Sequence, residues 1–99
     1  HITGGGLLEN VPRILPENCN AVISSGSWPI LKIFEVMQSI GDISQSEMYR
    51  AFNMGIGMVI VVDPIEAIKL KKIIKDHSPI FEIGLVTEGN KRIVLKQTQ

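Results

Sequence analysis

The residues with the greatest chemical potential open the chain. His1-Ile2-Thr3-Gly4-Gly5-Gly6 runs directly into the apolar spacing of a helix. Backbone amides without side chains at a helix N-terminus form an anion-binding concavity, and the helix dipole favours negative charge there. Phosphate is the natural occupant, with the Thr3 hydroxyl as a further donor. No Gly-Lys-Ser/Thr ending follows, so the loop is not a Walker A cradle. The same glycines also suit a tight turn that needs positive φ angles. On these residues alone both readings stand.

Other motifs carry less. Gly55-Ile56-Gly57 begins like a dinucleotide fingerprint, but its third glycine would fall on Ile60, and it precedes an apolar run instead of following one. A bend or a close backbone approach explains it better. His1 and His77 have no partner at metal-ligand spacing, so no metal site is expected. His77 ends a helical pattern, where an imidazolium suits the dipole. Cys19 lacks a local nucleophile signature. Trp28 reads as a core anchor, with a pocket wall beside the Ser-Gly loop as the alternative. Lys71, Lys72 and Lys75 read as a solvated helix face.

These residues need elements to position them. Leu7, Leu8, Val11 and Leu15 have helical spacing, and Pro12 predicts two short helical pieces across residues 7–15. A short strand is expected at residues 21–24. Pro29 opens a helix carrying Ile30, Ile33, Phe34 and Met37, stopped by Gly41. Ser44 and Glu47 form a capping box for a helix bearing Met48, Tyr49 and Phe52. Residues 57–62 are β-branched and continuously apolar, which predicts a strand buried on both faces. Asp63-Pro64-Ile65-Glu66 starts a helix to about Asp76, with Ala67, Leu70, Ile73 and Ile74 on one face. Residues 80–87 and 92–96 read as strands joined by a hairpin turn at Gly89-Asn90. The class is α/β of the α+β type, with helices packed on a mixed β-sheet.

Composition narrows the function classes. Ninety-nine residues make one modest domain, with 44% apolar and 20% charged residues and no low-complexity tract. Ten basic residues balance ten acidic ones, which removes the footprint of a nucleic-acid binder or a polybasic membrane anchor. The longest apolar run has nine residues, short of the roughly 20 that span a bilayer, so a soluble chain is expected. One cysteine makes a reducing cytosol the default compartment. A triple glycine so close to a start without methionine suggests a piece of a longer chain.

Taken in order, four motifs form a pattern: His1-Ile2-Thr3-Gly4-Gly5-Gly6, Glu9-Asn10-Val11-Pro12-Arg13, Ser27-Trp28-Pro29, and the run from Glu47 through Tyr49-Arg50-Ala51-Phe52-Asn53 to Met58. Together they closely resemble the C-terminal part of the phosphoribosylformylglycinamidine cyclo-ligases, also called aminoimidazole ribonucleotide synthetases, over residues 1–96. The resemblance implies a step of de novo purine biosynthesis. ATP phosphorylates the formyl amide oxygen of formylglycinamidine ribonucleotide, turning a poor leaving group into a good one. An amidine nitrogen then closes the imidazole ring, a step that positioning makes effectively intramolecular. It also implies a cytoplasmic, magnesium-dependent homodimer, an incomplete C-terminal domain here, and an ATP site mostly in an N-terminal domain outside these residues. The chain alone is then expected to be inactive.

The resemblance carries roles to particular positions. Thr3, Gly4, Gly5 and Gly6 would meet the substrate phosphate, and Arg13 would neutralise its charge. Asn10 on the same helical stretch and Asn53 on the second glycine-flanked segment would also reach the substrate. His1 would handle a proton. Two departures stand out: Ala51 replaces a common threonine, which puts a hydroxyl contact in doubt, and Leu31 replaces the second proline of Trp-Pro-x-Pro, which alters a helix start. The rival reading is a non-catalytic α/β module that binds a phosphorylated small ligand or a protein partner.

Overall fold

A computed structural model of the chain describes residues 1–97. Its sheet has three strands, with β1 (Cys19–Ser24) between β2 (Gly84–Glu88) and β3 (Ile93–Lys96). β2 runs antiparallel to β1 and β3 parallel to it, so Val22 lies opposite both Leu85 and Val94. Ala21 and Ile23 alternate inward on β1 and are buried, as period-two geometry requires. The sheet is mixed and helices pack against it, which is the expected class.

The expected hairpin is not there. β2 and β3 do not pair, because β1 lies between them and the Gly89-Asn90 segment passes around its start. The Asn20 side chain organises this crossing, its Oδ1 accepting from the amides of Asn90 at 2.8 Å and Arg92 at 2.9 Å. Gly89 donates to the Asn18 carbonyl and Lys91 to that of Cys19. The turn residues were legible, as was β1; that β1 stands between the two later strands was not. β2 also starts later than expected, at Gly84 and not at residue 80.

The helices follow their capping signals. α1 (Gly6–Asn10) passes into a 3-10 turn (Val11–Ile14) with Pro12 in its first turn, giving the two expected pieces. α2 (Lys32–Gly41) starts after Pro29 because Leu31 is extended and serves as its N-cap, and it stops at Asp42, which is left-handed at φ 50°. Leu31 therefore does mark the helix start. α3 (Gln45–Ala51) is capped by Ser44, which accepts from the Glu47 amide at 3.3 Å, while the Glu47 carboxylate turns to Arg50. α4 (Pro64–Ile74) is capped by Asp63, which accepts from the Glu66 amide at 2.9 Å.

The core gathers Ile2, Leu7, Val11, Ala21, Ile23, Trp28, Met48, Tyr49 and Met54 between α1, β1 and α3. Trp28 anchors it, edge-on to Tyr49 at 6.2 Å and donating from Nε1 to the Met54 carbonyl at 3.0 Å. Residues 57–62, expected as a buried strand, form none, and Met58, Ile60, Val61 and Val62 are exposed. The outer edges of β2 and β3 stay unpaired, and the run lies along neither of them. On α4, Ala67, Leu70 and Ile74 are half-buried, but Ile73 is exposed with Ile65 and Ile68. No helix among the described residues is long and apolar enough to cross a membrane.

Candidate functional site

The glycine turn is built from backbone angles that only glycine adopts readily. Gly5 has φ 98° and Gly6 φ 60°. A Cβ on Gly6 would strike the backbone carbonyls of Tyr49 and Phe52, so α1 and α3 approach here at a distance that no side chain permits. The Gly6 amide donates to the Thr3 carbonyl at 3.1 Å, while the amides of Gly4 and Gly5 make no backbone hydrogen bond among the described residues. A Cβ on Gly4 would meet nothing within 4 Å. The turn is thus closed toward α3 at Gly6 and open to solvent at Gly4.

Asn10 fastens the turn from beneath. It is 8% exposed, and its Nδ2 donates to the carbonyls of Gly6 at 2.8 Å, Thr3 at 3.1 Å and Gly4 at 3.3 Å. Its Oδ1 accepts from the Thr3 hydroxyl at 3.1 Å and from Arg13 Nη1 at 3.3 Å. Asn10 and Thr3, both read from the sequence as substrate contacts, therefore hydrogen-bond to each other.

His1 and Arg13 line one open groove of about 150 Å³ together with Asn10, Val11, Ile14 and Val59. No carboxylate lines it. The ion pairs among the described residues use Arg50, Lys69 and Lys71, which leaves the exposed Arg13 guanidinium without a carboxylate partner. A guanidinium in a groove without carboxylates suits an anion with several acceptor oxygens. Ile2 ties the floor to the 55–63 segment by donating to the Gly57 carbonyl at 2.8 Å, which places Val59 on the wall. Val59 was invisible to sequence reasoning, since only this long-range bond brings it there.

Asn53 is not in this groove. Its Oδ1 accepts from the Gly55 amide at 2.8 Å, forming an Asx turn in which Met54 and Gly55 take φ 55° and 92°. The glycines here thus make a bend, as expected of Gly55-Ile56-Gly57. The segment adjoins the glycine turn through Phe52, whose carbonyl faces Gly6. Ala51 ends α3 and is exposed. Among the described residues no three His, Cys, Asp or Glu side chains come together as metal ligands.

Comparison with known proteins is unambiguous about kinship. The family described as AIR synthase related protein, C-terminal domain, matches residues 1–96. A phosphoribosylformylglycinamidine cyclo-ligase of Brevibacillus brevis is 48% identical over 95 residues, covering 95% of this chain and 28% of that protein. The protein of the same name from Bifidobacterium longum is 44% identical over 99 residues, covering 97% of this chain and 29% of its own length. That from Citrifermentans bemidjiense reaches 61% identity over 62 residues, which is 63% of this chain and 18% of that protein. The chain spans less than a third of the length of the curated relatives it matches. It belongs to the AIR synthase related protein family, as a C-terminal domain.

Proposed function

We propose that this chain supplies the substrate-phosphate end of a phosphoribosylformylglycinamidine cyclo-ligase, the ATP-dependent ligase that closes the imidazole ring in purine biosynthesis. The observation that carries the reading is the groove itself: Arg13 without a carboxylate partner lines it together with His1, and Asn10 joins it to the glycine turn. Formylglycinamidine ribonucleotide would place its phosphate against Arg13 and the turn, leaving its formyl amide toward His1. A histidine there suits proton transfer during ring closure. Thr3 and Asn10 support the phosphate contacts from below, and Asn53 shapes the neighbouring bend.

ATP and magnesium do not fit the residues present. The groove offers a guanidinium where a magnesium–nucleotide complex needs carboxylates, and no acidic metal-binding cluster lies elsewhere among the described residues. The nucleotide site is assigned to protein outside this chain, and the compartment to the cytoplasm. The relatives' greater length leaves room for such a site.

Self-association is part of the same proposal. The accessible surface is 6868 Å², against roughly 5,600 Å² for a monomeric protein of this mass. Leu85 and Val94, across the sheet from Val22, are exposed, as are Ile33 and Ile40 on α2. Surface of this kind drives association, so a homo-oligomer is expected.

The test is a chimera in which residues 1–96 replace the matching segment of the Brevibacillus brevis enzyme, assayed for ATP-dependent ring closure. Activity in the chimera with none in the 99-residue chain alone supports the proposal. A folded but inactive chimera opposes it.

A further inference from the structure

The sequence presents Asn10 as a substrate contact, but its surroundings give it another task. The side chain is buried, and every polar atom it has is engaged within the turn. The carbonyls of Thr3, Gly4 and Gly6 converge on one end of the carboxamide, which fixes that end as Nδ2 and the other as Oδ1. An amide oxygen only accepts, so the Thr3 hydroxyl donates its hydrogen to Asn10 and directs none at a ligand. Arg13 commits one of its five N–H groups to the same oxygen, at 3.3 Å, and keeps the others.

We propose that Asn10 is a positioning residue that ties the Arg13 guanidinium to the glycine turn, so that the guanidinium is held in one geometry at the groove where the phosphate binds. The inference rests on the phosphate reading of the groove. The chemistry selects a carboxamide: it alone among side chains of this length donates two hydrogens to turn carbonyls while accepting from a hydroxyl and a guanidinium. Aspartate has the same shape but would face three carbonyls with a second acceptor and would place a negative charge on Arg13. The spacing serves the purpose too. Arg13 lies three residues on, within the 3-10 turn, where side chains at that separation eclipse.

The experiment is nitrogen-15 NMR of the 99-residue chain, reading the amides of Gly4, Gly5 and Gly6, the Asn10 side-chain amide and Arg13 Nε, with inorganic phosphate as the probe. The Trp28 indole signal reports whether the core is intact. Before phosphate is added, Asn10→Asp and Asn10→Ala are expected to shift the three glycine amides and Arg13 Nε together, with Trp28 unmoved. In the unmodified chain, phosphate should then shift Gly5 and Arg13 with a common midpoint. In both variants the midpoint should weaken by about tenfold or more, the scale of one lost charge-assisted contact. Should either buried substitution unfold the core, Thr3→Val, at an exposed position, reads the same network: it should shift the Asn10 side-chain amide and Arg13 Nε through their shared oxygen. Unchanged turn and Arg13 signals in Asn10→Ala, or in Thr3→Val if the first unfolds, would overturn the inference. So would a phosphate midpoint in Asn10→Ala within about twofold of the unmodified chain's. If the unmodified chain ignores phosphate, the phosphate reading fails, while the phosphate-free spectra decide separately whether Asn10 locks turn to guanidinium.

Discussion

The three glycines of the turn are unequal, and substituting each with alanine should show it. Gly6→Ala forces an L residue to φ 60° and drives its Cβ into the Tyr49 and Phe52 carbonyls. The left-handed angle costs about 1–2 kcal/mol and the overlap with rigid backbone about 1–3 kcal/mol, so about 2–5 kcal/mol is expected in all. For a domain of this size that lowers the Tm by roughly 10–30 °C. Gly5→Ala meets φ 98° and Glu9, whose carboxylate can swing aside but whose Cβ, 2.7 Å from the added carbon, cannot, so about 2–5 kcal/mol is expected there too. Gly4→Ala meets open space with no positive φ and should change stability by no more than about 0.5 kcal/mol. Urea denaturation followed by the fluorescence of the single tryptophan, Trp28, measures all three. Equal losses at Gly4 and Gly6, or a neutral Gly6→Ala, would refute the packing argument.

Asn20→Ala removes the acceptor that serves Asn90 and Arg92, so the crossing should loosen at a cost of about 1–3 kcal/mol in urea denaturation. Asn20→Asp keeps the acceptor and should lose less. Burial raises the Tyr49 phenol above its ordinary 10.0. Its folded form therefore holds the proton longer than its unfolded form, so this contribution to stability is complete below pH 10.0 and is lost as pH rises through the folded value. As the only tyrosine, it should give a tyrosinate absorbance curve displaced upward in the native chain and normal in urea. Sedimentation should find a dimer or larger species, and a compact monomer across a wide concentration range would count against the proposed association.

Local signals read well in this sequence and long-range ones did not. The caps at Ser44 and Asp63, the break at Pro12 and the anchoring of Trp28 depend on neighbours within a few residues or on burial alone, and all were legible. The hairpin expectation failed because turn chemistry at Gly89-Asn90 reports a reversal, not which strand stands beside it. The strand expected at residues 57–62 failed because an apolar β-branched run states a need for burial, and nothing in the described fold pairs with it. At the site, the positive φ angles of Gly5 and Gly6 were foreseeable from the glycine run. That Asn10 faces inward while Arg13 stays free was not, since helical spacing gives both the same side.

The groove that holds Arg13 is proposed to recognise a nucleotide phosphate. Titrating the chain with formylglycinamidine ribonucleotide, and separately with the riboside that lacks the phosphate, tests it most directly. Saturable shifts of Arg13 and of the glycine turn tied to it are expected with the ribonucleotide, weakened by about tenfold or more in Arg13→Ala, and none with the riboside. Equal responses to the two ligands, or a ribonucleotide response untouched by Arg13→Ala, would contradict it.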